Sequence, residues 1–476
     1  MDLKKNKEDA MKKLSLLLFI VMALSLMLSS CHVIWRVVEP KDEVALYKRI
    51  DKMMDKVDSY RASLDGKIAF EYEGVRVEGA LDGTNIIIGS PEDEDFYFYI
   101  ENSLDMTVGG TAQSIGVYES IAYDGGKIYT CSGEDGRQSY LCSDLGAEEF
   151  YEFISGNDID LELSPELGGK REMKKLDEGG WELSFSELSD GDLEDVLEQL
   201  SLDVVRDQMD VRVDDISVLI RTDEYFRVDN MLLDFSSDGV DEPVISLKIT
   251  YSGYGTVQEK QIDKEEYTEV PDARIAKWID SSLNEAMSAE RTKFTLYTRH
   301  SATVKAGYQQ HSNSSVETDR ITFYNRDGKF EYSVEADVES VVTKIEYEDG
   351  IQTVTGKNFS QQTEQSEAEA RAFIMSLLNC SGYTPAAVES MTEIGEGVYR
   401  ISLDVSRTSE YRQLMQSAGF SYSGNSGLNI EVTMDGEDVI SIRSLVVING
   451  SKNIGSSNTY TCEYTIEQNM RFITEE

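Results

Sequence analysis

The chain has 476 residues, with 45 Lys and Arg against 89 Asp and Glu, and a formal net charge of −44. That charge repels nucleic acid phosphates, which excludes nucleic-acid binding, and it equally repels anionic lipid head groups. The length exceeds one ordinary core and predicts two domains or more.

The first element is Lys12-Lys13, followed by an apolar run from Leu14 to Leu28 and by Ser29 and Ser30 before Cys31. A basic region, an apolar stretch and small residues before a cut describe a secretory signal peptide. A membrane-spanning helix fits less well. The run is 15 residues, interrupted by Ser15 and Ser25, whereas a span needs about 20, and His32 and Arg36 stop any extension. Met1 to Ala10 is polar and adds nothing a signal needs, so Met11 is a second candidate start. The four residues Leu28-Ser29-Ser30-Cys31 resemble the lipobox of bacterial lipoproteins. That resemblance implies cleavage before Cys31, a signal peptide over 1–30 and a diacylated Cys31 as the first residue of the mature chain. The leader holds five Lys and three Asp or Glu, so the remaining 446 residues carry −46. Acyl chains, not a basic patch, would then hold the protein to the extracytoplasmic face of the cell membrane.

Residues 31–43 form the expected lipidated N-terminus and linker. Fully extended, the dozen residues from His32 to Glu43 reach at most about 43 Å. An amphipathic helix follows, with Tyr47, Ile50, Met54 and Val57 at helical spacing. Strand-rich sequence comes next and includes Tyr123-Asp124-Gly125-Gly126-Lys127-Ile128-Tyr129. A short helix carries Phe150 and Ile154, Trp181 to Phe185 reads as a strand, and Leu193, Val196, Leu197 and Leu200 line another helix. Strand candidates at Ile216 to Arg221, Asn230 to Phe235 and Val244 to Tyr251 close this first segment.

The same order then returns. Val270-Pro271-Asp272-Ala273 leads into a helix with Ile275, Trp278, Ile279, Leu283 and Ala286. Tyr347 to Gln352 matches the Tyr123 turn, and Ser366 with Glu369 forms a capping box before Phe373, Ile374 and Leu377. Tyr399 to Leu403, a helix lined by Tyr411, Leu414, Met415 and Ala418, and strands at Leu428 to Met434, Val439 to Val447 and Thr459 to Ile466 complete it. A period of 210 to 231 residues is a duplicated domain, read here as 44–268 and 272–476.

Short turns and no βαβ rhythm predict antiparallel pairing, and a long meander cannot stay flat. The expected fold class is α+β: two tandem copies of a curved antiparallel sheet, an incomplete barrel, with helices packed on the concave face. That arrangement resembles the lipoprotein-carrier superfamily of LolA, LolB and LppX. The resemblance implies a non-enzymatic protein that binds an apolar or amphipathic ligand, a lipid or lipoprotein acyl chain, between sheet and helices. Tyr47, Ile50, Met54, Trp278, Ile279 and Leu283 are the cavity-lining candidates. An anchored Cys31 departs from the soluble shuttles of that group. The alternative function is a structural lipoprotein that binds a protein partner at the cell envelope.

Sequence motifs for chemistry are few. His32, His300 and His311 are the three histidines, with no hydrolase elbow, zincin helix or phosphate loop. Asp158, Asp160 and Glu162 alternate, yet lack the glycine and the bidentate Glu of an EF-hand. Glu92 to Asp95 reads as a solvated loop beside Phe96 to Tyr99. No catalytic residue, metal or cofactor is expected. Cys131, Cys142, Cys380 and Cys462 are disulfide candidates in an exported chain or, equally, buried thiols. A turn at Glu134-Asp135 would set Cys131 opposite Gln138. Replacing Cys31 by Ala in the full chain should abolish incorporation of labelled palmitate in cells, and retained label would contradict the lipobox.

Overall fold

The computed structural model describes residues 39–54, 56–72, 75–90, 93, 96–108, 114–134, 137–155, 169–177, 179–188, 213, 215–237, 243–306, 309–326, 329–336, 342–378, 383–404, 421–422, 427–454 and 458–475. Leu28, Ser29, Ser30, Cys31 and Cys380 lie outside them, as do Asp158, Asp160, Glu162 and the two helices expected near Leu193 and Tyr411.

The chain divides into two compact units at Tyr267–Thr268. The first runs α1 (Glu43–Met54), β1 (Ser59–Tyr72), β2 (Val75–Ile88), β3 (Tyr97–Val108), β4 (Ser114–Asp124), β5 (Lys127–Glu134), β6 (Arg137–Asp144) and α2 (Ala147–Ser155). It continues with β7 (Lys170–Lys175), β8 (Trp181–Ser186), β9 (Asp215–Thr222), β10 (Val228–Ser236) and β11 (Ile245–Ser252). The two-residue strand β12 (Thr268–Glu269) stands at one end of the first strand order.

The second unit holds α3 (Ile275–Ser288), β13 (Arg291–Ala306), β14 (Gln309–Arg326), β15 (Lys329–Ala336), β16 (Val342–Glu348), β17 (Ile351–Gly356), β18 (Phe359–Glu364) and α4 (Glu367–Leu378). Then come β19 (Val388–Gly395), β20 (Val398–Leu403), β21 (Ser421–Tyr422), β22 (Gly427–Asp435), β23 (Asp438–Ile454) and β24 (Asn458–Glu475).

The first sheet is ordered β12-β6-β5-β4-β3-β2-β1-β11-β10-β9-β8-β7, and the second β18-β17-β16-β15-β14-β13-β24-β23-β22-β20-β19, with β21 on β23. Apart from β12 and β21, the two orders coincide element for element. A helix precedes the first strand and another follows the sixth in both units. In each, neighbouring strands pair as meanders, and the first strand pairs antiparallel with the last. Matching turns support the same frame. Gly125 and Gly126 (φ 60° and 80°) join β4 to β5, and Asp349 and Gly350 (φ 48° and 80°) join β16 to β17. Two successive left-handed residues are the twist-compatible hairpin turn.

This architecture overturns the expected α+β fold with helices packed on a concave face. Each sheet has 12 strands, while the four described helices span only 12, 9, 14 and 12 residues. The chain is mainly β. Length was underestimated in the strands: β14 and β24 reach 18 residues each. Much of β14 is exposed on both faces, so its sequence shows none of the alternation by which a half-buried strand is read.

The helices seal cores built by strand side chains. Leu46 and Ile50 of α1 join Leu64, Leu81, Leu183, Phe235 and their neighbours in one buried cluster. Ser366 N donates to Glu369 Oε2 at 2.8 Å and Glu369 N to Ser366 Oγ at 3.3 Å, the reciprocal pair expected at the start of α4. Phe150 of α2, fully buried, stacks on Tyr123 at 4.7 Å and meets Phe96 and Phe98 at 6.1 and 5.2 Å. Phe150→Ala should cost about 3–5 kcal/mol in the first unit's urea transition, and a loss under about 1 kcal/mol would show that α2 is not part of that core.

Candidate functional site

The expected cavity-lining residues are placed as follows. Ile50 is 4% exposed within the first core, Tyr47 stands edge-on to Phe185 at 6.4 Å, and the Met54 sulfur accepts from Val228 N at 3.4 Å. In the second unit Ile279 and Leu283 are buried, and the Arg274 guanidinium lies 4.7 Å above the Trp278 ring. Ile50, Ile279 and Leu283 are thus core residues, Tyr47 and Met54 pack partly buried against the first core, and Trp278 is half-buried.

A cleft of about 460 Å³ lies instead across strands β11, β1, β2, β3 and β4 of the first sheet. Strand register explains its lining. Thr250, Ser63, Thr84 and Glu101 occupy one cross-strand row, and Lys248, Asp65, Asp82, Ser103 and Tyr118 the next. Side chains alternate between faces, so these rows project from the face opposite Leu64, Leu81 and Leu104 of the core. Asp65 and Asp82 are direct neighbours, both exposed, with Lys248 on the far side of Asp65. Like charges set opposite one another destabilise a ladder, and no ion pair relieves either aspartate among the described residues.

Beside the cleft the same face turns apolar. Ile86, Tyr97, Tyr99, Ala122, Tyr129 and Cys142 form a second cluster, covered by Val257, Ile262 and Tyr267 from the segment that follows β11. Residues Phe96 to Ile100 are consequently all buried, with exposures of 7% or less. One alternate set faces the core and the other this cover. The cover is pinned by polar contacts. Tyr97 OH donates to the Lys260 carbonyl at 2.9 Å, Lys264 pairs with Asp124 at 2.5 Å, and Lys260 pairs with Glu101 while its ammonium sits 4.6 Å above the Tyr99 ring.

Glu101 joins cleft to cover. Its Oε2 accepts from Tyr99 OH at 2.6 Å and from Tyr118 OH at 3.3 Å. Burial alone would raise this carboxyl, but the Lys260 ammonium and the two phenols outweigh it and hold it below the ordinary carboxylate value. Tyr99 and Tyr118 are pushed up by burial first, so both stay protonated as donors. Glu101 is a structural anion here, ionised at neutral pH.

Cys131 and Cys142 are buried and form no disulfide. The β5–β6 register pairs Glu134 with Arg137 and sets Cys131 opposite Tyr140, not Gln138, and Cys142 opposite Tyr129. Burial, then the charges of Glu119 and Glu266, push the Cys131 thiol up to about 12. Strands β13 and β14 pair antiparallel from Ala306 opposite Gln309 onward. Their register sets His300 opposite Ser315 and His311 opposite Val304, leaving the two histidine positions about 13 Å apart along the ladder. Among the described residues no group of three or more His, Cys, Asp or Glu could hold a metal ion, and no helix is long and apolar enough to cross a membrane. Asp319, in the second unit, is raised to about 6 by burial and then by Glu317.

No protein-family model matches the chain, and no curated protein matches it. Among solved structures, a DUF1329 family protein from Desulfovibrio piger is a neighbour at 9% identity and a TM-score of 0.16, covering 43% of this chain and 93% of its own. A protein assigned as AttH from Nitrosomonas europaea has 6% identity and a TM-score of 0.13, covering 87% and 93%. OprD from Pseudomonas aeruginosa has 7% identity and a TM-score of 0.14, covering 88% and 96%. Likeness this weak carries neither fold nor function across.

The cover has a defined acid response. The folded Glu101 carboxyl titrates below its unfolded value of about 4.3, so its stabilisation is complete above that pH and is lost as pH falls through the folded value. Proteolysis within residues 253–267 should therefore accelerate between pH 5 and 3 in the native chain, and Glu101→Gln should lose that acid dependence. An unchanged profile in the variant would contradict the role given to Glu101.

Proposed function

We propose that this chain is a lipid-anchored, extracytoplasmic binding protein without catalytic chemistry, and that its first unit receives a ligand bearing a cationic group in the cleft over β11, β1, β2, β3 and β4. One observation carries the reading: Asp65 and Asp82 stand side by side in a walled cleft, with no ion pair to offset their repulsion among the described residues. A bound amine would remove that repulsion. Lys248 at the end of the row and the hydroxyls of Ser63, Thr84, Ser103 and Thr250 would orient the ligand's polar remainder. The overall charge of −44 draws cations toward every face and speeds encounter.

The reading differs from an acyl-chain carrier in the ligand's chemistry. The cleft wall carries hydroxyls, three carboxylates, Asn102 and Lys248 beside Leu64, while Ile50, Ile279 and Leu283 on the helix side are buried in the cores. Glu101 contributes a fixed charge to the cleft's edge and not a transferable proton, because Lys260, Tyr99 and Tyr118 hold it ionised.

Calorimetric titration of the detergent-solubilised full chain with spermidine tests the proposal. Spermidine should bind saturably, and the Asp65→Asn/Asp82→Asn variant should bind it at least tenfold more weakly. Absence of saturable heat, or equal affinity in the variant, would contradict it.

A further inference from the structure

The second unit extends well beyond its core as four long strands, ordered β14-β13-β24-β23. The charge of the chain vanishes in this extension. Residues 300–316 and 447–465 together contain Lys305, Lys452 and Glu463 and no other Asp, Glu, Lys or Arg, in a chain of net charge −44. Strand β14 forms one border of it. Its pairing with β15 begins only at Asp319, opposite Ala336. Residues 309–318 thus pair with β13 on one side and with no strand on the other among the described residues.

That border lacks the devices by which sheet edges are protected. Gln309-Gln310-His311-Ser312-Asn313-Ser314-Ser315-Val316 contains no Lys, no Pro and no bulge, and each of these is a common means of blocking strand addition. The strands that end the two sheets all carry charge: Lys170, Arg171, Lys174 and Lys175 on β7, Glu389 and Glu393 on β19, Glu364 on β18 and Glu269 on β12. Residues 309–317 are exposed on both faces, so neither face blocks the approach of another strand.

We propose that this edge of β14 pairs antiparallel with the same edge of a second copy of the chain, joining two second units into one continuous sheet. Charge selects the occupant. Two copies repel each other over nearly all of their surface, and the Gln309–Val316 run meets its own copy without any like-charge pair. Symmetry selects the register. In an antiparallel ladder the residues opposite each other both turn their backbone groups inward or both outward. A two-fold pairing therefore matches odd positions with odd and even with even. Centred on Asn313 it sets Ser312 against Ser314 and His311 against Ser315. Centred on Ser312 it sets His311 against Asn313 and Gln310 against Ser314. Either register joins uncharged residues to uncharged residues from Gln310 to Val316 and keeps each Glu317 away from its copy, the Asn313-centred one setting Glu317 against the neutral Gln309. The proposal is independent of the cleft, since it involves only the second unit.

Native mass spectrometry of the detergent-solubilised full chain tests it, together with mild oxidation of Ser312→Cys and Asn313→Cys variants. The expected result is a dimer and a disulfide-linked dimer for at least one of the two cysteines, beyond any seen in the unsubstituted chain or with Gln362→Cys on β18. Ser312→Lys/Ser314→Lys, with an unchanged far-ultraviolet spectrum, should weaken dimerisation at least tenfold. A monomer at every concentration, or a dimer indifferent to the paired lysines, would overturn the proposal, and the mass of the unsubstituted chain decides even if a variant fails to fold.

Discussion

Everything in each unit hangs on one pairing, that of the first strand with the last. In the first unit Arg61 to Ile68 of β1 lie opposite Ser252 to Ile245 of β11, and in the second all of β13 lies opposite β24. These ladders weld an N-terminal meander of six strands to a C-terminal meander of five into one sheet. Nearly the whole length of a unit separates the partners, so the chain must close a long loop before these contacts reward it. Neither meander holds the full core alone: the cluster around Leu64 and Leu81 of the first includes Leu183, Leu233 and Leu247 of the second.

The pairing also creates the candidate site. Lys248 and Thr250 of β11 reach the row of Asp65 and Asp82 only because β11 docks beside β1 in that register. The cleft is thus a product of the weld, assembled from residues almost two hundred positions apart. Its neighbour on the same face, the Tyr97–Tyr99 cluster, needed a cover because its apolar side chains alternate with those of the core. The corresponding stretch of the second unit needs none: Ser333 and Glu335 of β15 and Lys344 and Glu346 of β16 make its outer face polar.

Local features were legible in the sequence to the degree that local chemistry decides them. The Ser366–Glu369 box, the Gly125-Gly126 and Asp349-Gly350 turns and the three closing strands of the first unit follow from caps, left-handed residues and alternation. Fold class did not follow, since residues 309–317 of β14 are exposed on both faces and generate no period, and β24 alternates buried and open positions only around Ile466 to Met470. Phe96 to Ile100 could not announce its second covering layer, because a run buried on both sides has no alternation either. The cleft was illegible for a different reason. Ser63, Asp65, Asp82, Thr84, Lys248 and Thr250 are ordinary exposed strand residues, and only cross-strand register brings them together. Assignment of Tyr47, Ile50, Met54, Ile279 and Leu283 to a cavity rested on helical spacing, which marks burial and does not distinguish a filled interior from a hollow one.

Hydrogen exchange resolved to single strands tests the weld most directly. Amides of β1 paired with β11, and of β13 paired with β24, should be the most protected of their units and exchange only on global unfolding of that unit. Exchange of those amides as fast as that of the end strands β7 and β19, while β2 to β5 remained protected, would show that the two meanders are separate sheets and would contradict the account.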